Sequence, residues 1–363
     1  MQNNSSDTPS TQTQRSHRYG LAFTLLSSAV IVIFFLISIA LISYYGLAVD
    51  DSRFENDQLM SRPWAALQQA DGNRVPLPIE GFTDIPDKFS TYERYNLFFE
   101  TQSRLYAQAK SGHLVLVDDR EQVHQITLQP VNLSSLGNTF WLLNLIGAIA
   151  LVTGLGVWLL RRRDRSTIIF ALSGLGFYLI AYSTAIYSNR QILLPANILH
   201  FYSELGHLGG LLFRYSLLAL FFNYPCRLFP KLPVTAALYI IMMGLWTNQT
   251  LQWAQWPIHA FHIHSNGPTF LLLLLFAALQ WRHSQGTPLA HTAAKWMIFS
   301  IVVTTGIATS AYFLPLAMGS EPLTSPTTTL AIVLIMYVGL SLGVRHTNCL
   351  KSTVTGTARM PGS

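Results

Sequence analysis

Eight apolar stretches alternate with polar segments along the chain, and most are close to the length of a membrane-spanning helix. A helix needs about 20 apolar residues to cross the hydrocarbon core of a bilayer. We place the spans at residues 20–49, 139–160, 167–187, 200–222, 232–250, 269–281, 296–318 and 327–344. A soluble fold would leave this apolar surface uncovered. The pattern therefore predicts a mainly α protein built on an eight-helix transmembrane bundle.

The first apolar stretch predicts a membrane anchor. Residues 19–49 carry no charge and lack a convincing small-residue cleavage site, whereas a cleaved signal peptide has a shorter apolar core. We therefore expect an N-terminal tail (1–19), an anchor helix (20–49), a polar domain (50–138), a seven-helix transmembrane domain (139–345) and a C-terminal tail (346–363).

The polar segment 50–138 predicts a small α+β domain between helices one and two. Two apolar runs, 112–117 and 123–128, flank a polar turn and indicate a β-hairpin. Residues 90–109 have near-helical spacing behind Ser90 or Thr91 as an N-cap. The prolines of segment 50–87 indicate loops and short strands. The helix carries aromatic residues that we interpret as core, because ligand pockets are few: Tyr92, Tyr95, Phe98, Phe99 and Tyr106.

Composition supports lipid as the main solvent of this chain. Of its 363 residues, 50% are hydrophobic and 11% charged, against a charged share of about a quarter in soluble domains. The formal net charge of +6 is explained by basic loops on one side of a membrane, so we expect no nucleic-acid partner. Cys226 and Cys349 imply no disulfide framework.

Basic residues mark alternate connections between the spans. The two tails and the loops after spans two, four and six hold 13 Lys and Arg residues, and the three intervening short loops hold only Arg190. Because basic loops stay in the cytoplasm, we expect a multipass protein of the bacterial cytoplasmic (inner) membrane with both termini inside. Segment 50–138 then lies outside, with 8 basic and 13 acidic residues, a net charge of −5.

The fourth span carries the most informative chemistry, because ionisable residues inside a membrane are costly and usually functional. His200, Glu204, His207 and Arg214 fall within a helical sector of about 80°. Ser203, Gly206, Gly209 and Gly210 lie nearby and allow close helix approach, which predicts that this face looks into the bundle. Arg214 lies about 15 Å along the axis from Glu204, too far for a direct pair.

Three roles are open for this polar face: a structural cluster, a proton-sensing or pH-sensing pair, and a metal site. Histidine titrates near neutrality and also binds metals, and His259, His262 and His264 of an outer loop could approach His200. No metal motif of known spacing is present. We therefore predict no metal, no cofactor and no catalytic residue, and take the four residues of the face as candidates for ligand or signal sensing: His200, Glu204, His207 and Arg214.

Two local patterns, with the order of the spans, resemble a known family. LFFNYPCRLFP at 220–230 is similar to the aromatic and proline loop after the third of seven helices, and YVGLSLGVR at 337–345 to the exit of the last helix. Together with one anchor helix and an outer domain, they resemble the membrane input region of multipass bacterial sensor histidine kinases, including PDZ-bearing quorum sensors. The resemblance implies a PDZ-like outer domain, although no carboxylate-binding glycine loop is evident.

The resemblance also implies a signalling role. In that family a dimerisation helix and an ATP-binding domain follow the exit, but here HTNCLKSTVTGTARMPGS follows Arg345, so we expect no kinase chemistry in this chain. The first hypothesis is the sensory module of a two-component system, homodimeric, in contact with membrane lipid, and acting on a cytoplasmic histidine kinase or response-regulator pathway. The alternative is a polytopic transporter or membrane enzyme that uses the His/Glu/Arg face.

Overall fold

The computed structural model describes residues 29, 31–49, 64–78, 89, 91–112, 114–160, 164–187, 192–229, 232–255, 266–318, 320 and 323–345. These residues are mainly helical. The helices are α1 (Ile31–Tyr45), α2 (Tyr92–Lys110), α3 (Asn138–Leu160), α4 (Arg165–Tyr187), α5 (Ala196–Asn223), α6 (Val234–Leu251), α7 (Asn266–His283), α8 (Pro288–Ala308) and α9 (Pro326–Arg345). A π-helical turn, Thr309–Phe313, and a short turn, Leu314–Ala317, extend α8.

In the part of the chain that the structure describes, seven short strands accompany the helices. They are β1 (Leu47–Val49), β2 (Ala66–Gln68), β3 (Arg74–Pro76), β4 (Leu114–Val117), β5 (Val123–Ile126), β6 (Leu128–Pro130) and β7 (Ile192–Leu193). A four-stranded antiparallel sheet has the order β3-β2-β4-β5, and a three-stranded one the order β6-β1-β7. This small sheet region and the helix α2 agree with the predicted α+β character of segment 50–138.

The four-stranded sheet and α2 form the core of the domain predicted to lie outside the membrane, which we call the outer domain after that prediction. The predicted hairpin is confirmed, since β4 pairs with β5 and Leu116 lies opposite His124. The predicted helix is confirmed too: Thr91 caps it, and its Oγ1 accepts a hydrogen bond from the Arg94 N–H at 3.3 Å. Leu105 and Ala109 of α2 pack over the sheet with buried residues of the strands, among them Leu67, Leu114, Leu116 and Ile126.

The three-stranded sheet joins the outer domain to the helices. The first apolar stretch was predicted to remain helical to Val49, but α1 ends at Tyr45 and Leu47–Val49 is a strand. The strand β1 pairs with β6 on one side and with β7, from the connection between α4 and α5, on the other. The apolar residues Leu47–Val49, which the sequence placed in the helix, therefore form a strand. Short apolar runs suit a buried strand as well as a helix.

Among the described residues, four helical segments are long and apolar enough to cross a membrane: Asn138–Leu160, Arg165–Tyr187, Ala196–Asn223 and Ala290–Tyr312. Ile31–Tyr45 and Pro326–Leu342 are shorter apolar helices. This set is compatible with a multipass membrane protein. Seven of the predicted spans coincide with α3 to α9. The largest difference is at α8, which begins at Pro288, eight positions before the predicted start.

Helices α4 and α5 approach each other closely through glycine. A Cβ on Gly209 would stand 2.7 Å from Leu179 Cβ and 2.8 Å from the Gly176 carbonyl oxygen. One on Gly206 would stand 3.1 Å from Ser183 Cβ. Close approach was expected at Gly206, Gly209 and Gly210, but Gly210 has nothing within 4 Å of its Cβ position. The helix interface therefore follows the 206–209 side of α5.

Candidate functional site

The helix α2 docks on the C-terminal end of α4 and the N-terminal end of α5. Its aromatic residues were predicted to be core, and Tyr92, Tyr95, Phe98 and Phe99 are buried. They pack, however, against Tyr187 of α4 and Leu199 of α5 as well as Phe89. The core they form is thus the interface between the outer domain and the helical bundle. The rings of Phe99 and His200 meet edge to face, with their centroids 4.8 Å apart.

Glu204 lies at the polar centre of this interface and is only 7% exposed. The Tyr95 hydroxyl donates to Glu204 Oε1 at 3.1 Å and lies at the same distance from Ser203 Oγ. From α6, Thr250 Oγ1 donates to Glu204 Oε2 at 2.8 Å. His207 Nδ1 lies 3.5 Å from Oε1, an ion-pair distance when the imidazole is protonated. We call Tyr95, Ser203, Glu204, His207 and Thr250 the Glu204 cluster.

Further polar contacts surround the cluster and tie α2 to α6. The Tyr92 hydroxyl donates to Gln249 Oε1 at 3.0 Å. Burial, together with the negative charge of Glu204, raises the pKa of Tyr92 to about 12, so this hydroxyl keeps its proton at neutral pH. The side-chain amides of Asn96 and Gln252 exchange two hydrogen bonds, of 3.1 and 3.2 Å. Hydrogen bonds therefore join α2 directly to both α5 and α6.

Three of the four predicted site residues come together here. His200, Glu204 and His207 all face α2: the rings of His200 and His207 lie 5.8 and 6.3 Å from the Tyr95 ring, measured between centroids. Arg214 lies farther along α5, where its Nε donates to the Gly210 carbonyl oxygen at 3.2 Å. This position agrees with the distance of about 15 Å along the axis that was expected between Arg214 and Glu204, and it leaves Arg214 outside the Glu204 cluster.

The described part of the chain shows no group of side chains that would support a metal site. No set of three or more His, Cys, Asp or Glu side chains is placed there to hold a metal ion. His259, His262 and His264, which were considered as additional ligands, lie outside the described residues.

The sequence analysis missed the partners that α2 and α6 contribute. Tyr95 was assigned to a core on its ring alone, although tyrosine also carries a hydroxyl that needs a partner when buried. The polar run Asn248, Gln249, Thr250 at the end of an apolar span was a usable signal. It would have indicated that α6 reaches a polar site on the same side of the bundle.

The Glu204 cluster couples the ionisation of Glu204 and His207 to the position of α2. Both carboxylate oxygens of Glu204 are engaged, by groups from three different helices. In a site of low dielectric constant, losing one of these partners leaves the others inadequately paired. A change in the ionisation of His207 or Glu204, or a shift of α2, therefore alters the same set of hydrogen bonds.

A second buried contact links α5 to the last helix. Phe213 lies nine residues after Glu204, about 14 Å along the axis. The Phe213 ring is 5.3 Å from Phe177 of α4 and 6.4 Å from Tyr337 of α9, between centroids. The Tyr337 ring stacks on Phe170 at 4.5 Å, and its hydroxyl donates to the Phe170 carbonyl oxygen at 2.7 Å.

Glycines make room for this tyrosine. A Cβ on Gly154 of α3 or on Gly174 of α4 would stand 2.7 Å from the Tyr337 hydroxyl oxygen. The side chain of Tyr337 is fully buried and occupies a close-fitting slot between α3 and α4. The position of α9 is consequently tied to the packing of those two helices.

A residue of α7 holds the end of α5 and the residues that follow it, up to residue 229. Gln280, which is buried, donates from Nε2 to the carbonyl oxygens of Phe221 and Cys226 at 2.8 and 2.5 Å. Its Oε1 accepts from the Cys226 N–H at 3.3 Å. The aromatic and proline pattern thus covers the end of α5 and a connection that hydrogen bonds from Gln280 hold in place.

Comparison of the chain with protein-family models, with characterised proteins and with solved structures found no match in any of the three.

Proposed function

We propose that this protein is the membrane-embedded sensory module of a two-component-type receptor, which passes an outer or intramembrane signal to a cytoplasmic kinase. One observation carries the proposal. The outer helix α2 is hydrogen-bonded to α5 through the Glu204 cluster, and α5 in turn contacts the last helix at Tyr337. The single helix α5 therefore contacts both the outer domain and α9, the helix at which the resemblance places the exit toward a kinase.

The proposed topology has eight membrane passes, α1 and α3 to α9, in a bacterial cytoplasmic membrane with both termini inside. The 13-to-1 distribution of basic residues among the tails and short loops supports it. Exposed tryptophans near helix ends, Trp141, Trp253 and Trp281, suit the interfacial zone of a bilayer. Helices α6 and α7 have 18 residues each, with apolar centres and polar residues in the last turn.

The proposed mechanism is a population shift between two packings of the helices. A ligand that binds the outer domain favours the packing to which it binds more tightly. A change in the membrane around α5 favours the packing that has the lower free energy in the changed membrane. The Glu204 cluster is the point at which α2, α5 and α6 meet, so its hydrogen bonds differ between the two packings. Tyr337 then carries the change to α9, because its slot is formed by α3 and α4.

The transporter or enzyme alternative has less support from the site. Glu204 has both carboxylate oxygens engaged by side chains of the protein itself, whereas a transported ion or a substrate would need open coordination positions. Arg214, the other charged member of the predicted face, lies away from the cluster and bonds its own helix.

The decisive experiment joins the kinase region of a multipass sensor kinase after Val344 and measures phosphorylation in membranes. Tyr95→Phe removes the hydroxyl that links α2 to Glu204 and leaves the ring in place. We expect it to change basal phosphorylation by about fivefold or more, since a lost buried hydrogen bond is worth about 1–3 kcal/mol. Gly154→Ala, which displaces the Tyr337 hydroxyl, should also change it.

Each variant has a matched control. Tyr44→Phe removes a hydroxyl from a tyrosine that is 80% exposed, and Gly156→Ala adds a Cβ with nothing within 4 Å. Neither control should alter phosphorylation. The proposal fails if phosphorylation by the fusion protein is the same in wild type, Tyr95→Phe and Gly154→Ala while all are folded and inserted.

A further inference from the structure

A groove of about 260 Å³ lies between α7 and α8. The α7 side consists of residues spaced along a single helical face over about 12 Å: Leu274, Ala277, Ala278, Trp281 and Arg282. Ile298 and Val302 of α8 form the opposite wall. The groove is therefore an open, largely apolar depression that runs along the helices and has a cationic side chain at one end.

A second cation lies at the same end. Lys295 Nζ is 5.6 Å from the centre of the Trp281 ring, and Lys295 precedes Ile298 by one turn of α8. His291 packs edge to face on the same indole at 4.6 Å. Trp281 is thus held between two side chains of α8, and Arg282 and Lys295 flank it with their positive charge. Both cationic residues are exposed.

This combination fits one kind of occupant. An apolar groove parallel to the helices accommodates an acyl chain, and two cations beside an interfacial tryptophan attract a phosphate-bearing headgroup. In the proposed topology this end of α7 and α8 faces the cytoplasm, where the leaflet carries anionic lipid. A soluble anion would make no favourable contact with the apolar wall. A zwitterionic lipid would be attracted less strongly by the two positive charges.

We infer that the α7–α8 groove binds one anionic phospholipid of the inner leaflet, with an acyl chain along Leu274 and Ala278 and the headgroup at Arg282 and Lys295. The inference rests on the proposed membrane orientation but not on signalling. Its test measures lipid and needs no kinase, so either proposal can fail without the other.

The test is native mass spectrometry of the full chain in mild detergent, titrated with phosphatidylglycerol or with phosphatidylcholine of identical acyl chains. We expect tighter retention of one phosphatidylglycerol. Removing both charges with Arg282→Gln and Lys295→Gln should weaken it by about fivefold for each charge, and leave phosphatidylcholine unchanged. Ala278→Phe, which fills the groove, should weaken both lipids. Inorganic phosphate at equal concentration should displace neither.

The matched control is Arg227→Gln, which removes an exposed cation from the loop between α5 and α6, on the same side of the bundle. It should leave the phosphatidylglycerol affinity unchanged. The inference is overturned if the two lipids bind equally to wild type, if the double variant binds phosphatidylglycerol as wild type does, or if Arg227→Gln weakens binding as much as the double variant. Displacement by phosphate would assign the site to a free anion instead.

Discussion

Glu204 illustrates how single residues decide what this bundle can bury. A carboxylate in an apolar surrounding costs several kcal/mol unless hydrogen bonds and opposite charge compensate it. Here Tyr95 and Thr250 donate to its two oxygens, and His207 lies at ion-pair distance. The charge is therefore tolerated because three side chains compensate it. Tyr95 and Thr250 come from other helices, and His207 lies about one turn after Glu204 on α5.

Asp118 plays a comparable part in the outer domain, at the turn between β4 and β5. Its Oδ1 accepts from the N–H groups of Arg120 and Gln122 at 2.9 and 2.8 Å, and Oδ2 lies 3.1 Å from His124 Nε2. Burial alone would raise the pKa of the Asp118 carboxyl. The bonds from Gln122, His124 and Arg120 favour the charged form and bring the pKa below its ordinary value of 3.8.

The lowered pKa predicts acid sensitivity of this hairpin. A carboxyl with a depressed pKa in the folded state contributes stability above its ordinary pKa, and that stability is lost as the pH falls through the folded value. Hydrogen exchange of the β4 and β5 amides, corrected for intrinsic rates, should show protection that declines below about pH 4. In Asp118→Asn, protection should be lower at neutral pH and should no longer decline in acid.

Asp119→Asn is the control for this prediction, because Asp119 is the exposed neighbour in the same turn. It should retain the acid-dependent decline of the wild type. An equal decline in wild type and in Asp118→Asn would show that another group governs the hairpin.

At this scale the sequence predicted a part of the site. The i, i+4 and i+7 positions of His200, Glu204 and His207 guarantee a shared helical face whatever the tertiary structure. Their partners could not be predicted in the same way. Tyr95 reaches Glu204 across 109 positions of sequence, and such a contact depends on how the outer domain sits on the bundle.

Among the elements, α4 and α5 pack closely where glycines of the two helices face each other. Because a Cβ on Gly209 would meet backbone atoms of α4 below 3 Å, an alanine there must push the helices apart. We expect Gly209→Ala to destabilise the folded protein by about 1–3 kcal/mol and to lower its thermal unfolding temperature in detergent.

The adjacent residue provides the control, since a Cβ on Gly210 meets nothing within 4 Å. Gly210→Ala should be neutral or slightly stabilising, because alanine favours helix. If the two alanine variants unfold at the same temperature, the close approach of α4 and α5 at Gly209 does not contribute to the stability of the folded protein.

Helix positions were predicted well and connections poorly. Hydrophobic runs located α3 to α9 because each run is a local property of the chain. The strands β1 and β7 were missed, because a strand of two or three residues has no periodicity to detect. They exist because Leu47 and Ala48 find partners in the α4–α5 connection, and that pairing is visible only in three dimensions.

For the whole molecule, the proposed orientation gives a direct prediction. In a background with Cys226 and Cys349 replaced by serine, a cysteine at Asp119, in the outer domain, should react with a membrane-impermeant maleimide in intact spheroplasts. A cysteine at Arg227, in the loop between α5 and α6, should react only after the membrane is permeabilised. Both positions are exposed, so access to the reagent is decided by the membrane alone.

The opposite labelling pattern would contradict the orientation, and labelling of both positions in intact cells would contradict an odd number of passes between them. Quantifying the reaction against the fully permeabilised sample corrects for differences in thiol reactivity.

The sequence by itself determined the helical character, the spacing of the apolar segments and the asymmetry of basic residues. These are local or additive properties, which hydrophobic length and charge fix without reference to contacts. Only the tertiary structure decided that α2 lies against α5, that Thr250 completes the Glu204 cluster and that Tyr337 fits between two glycines. Those contacts join residues far apart in the chain, and their geometry follows from how the elements pack together.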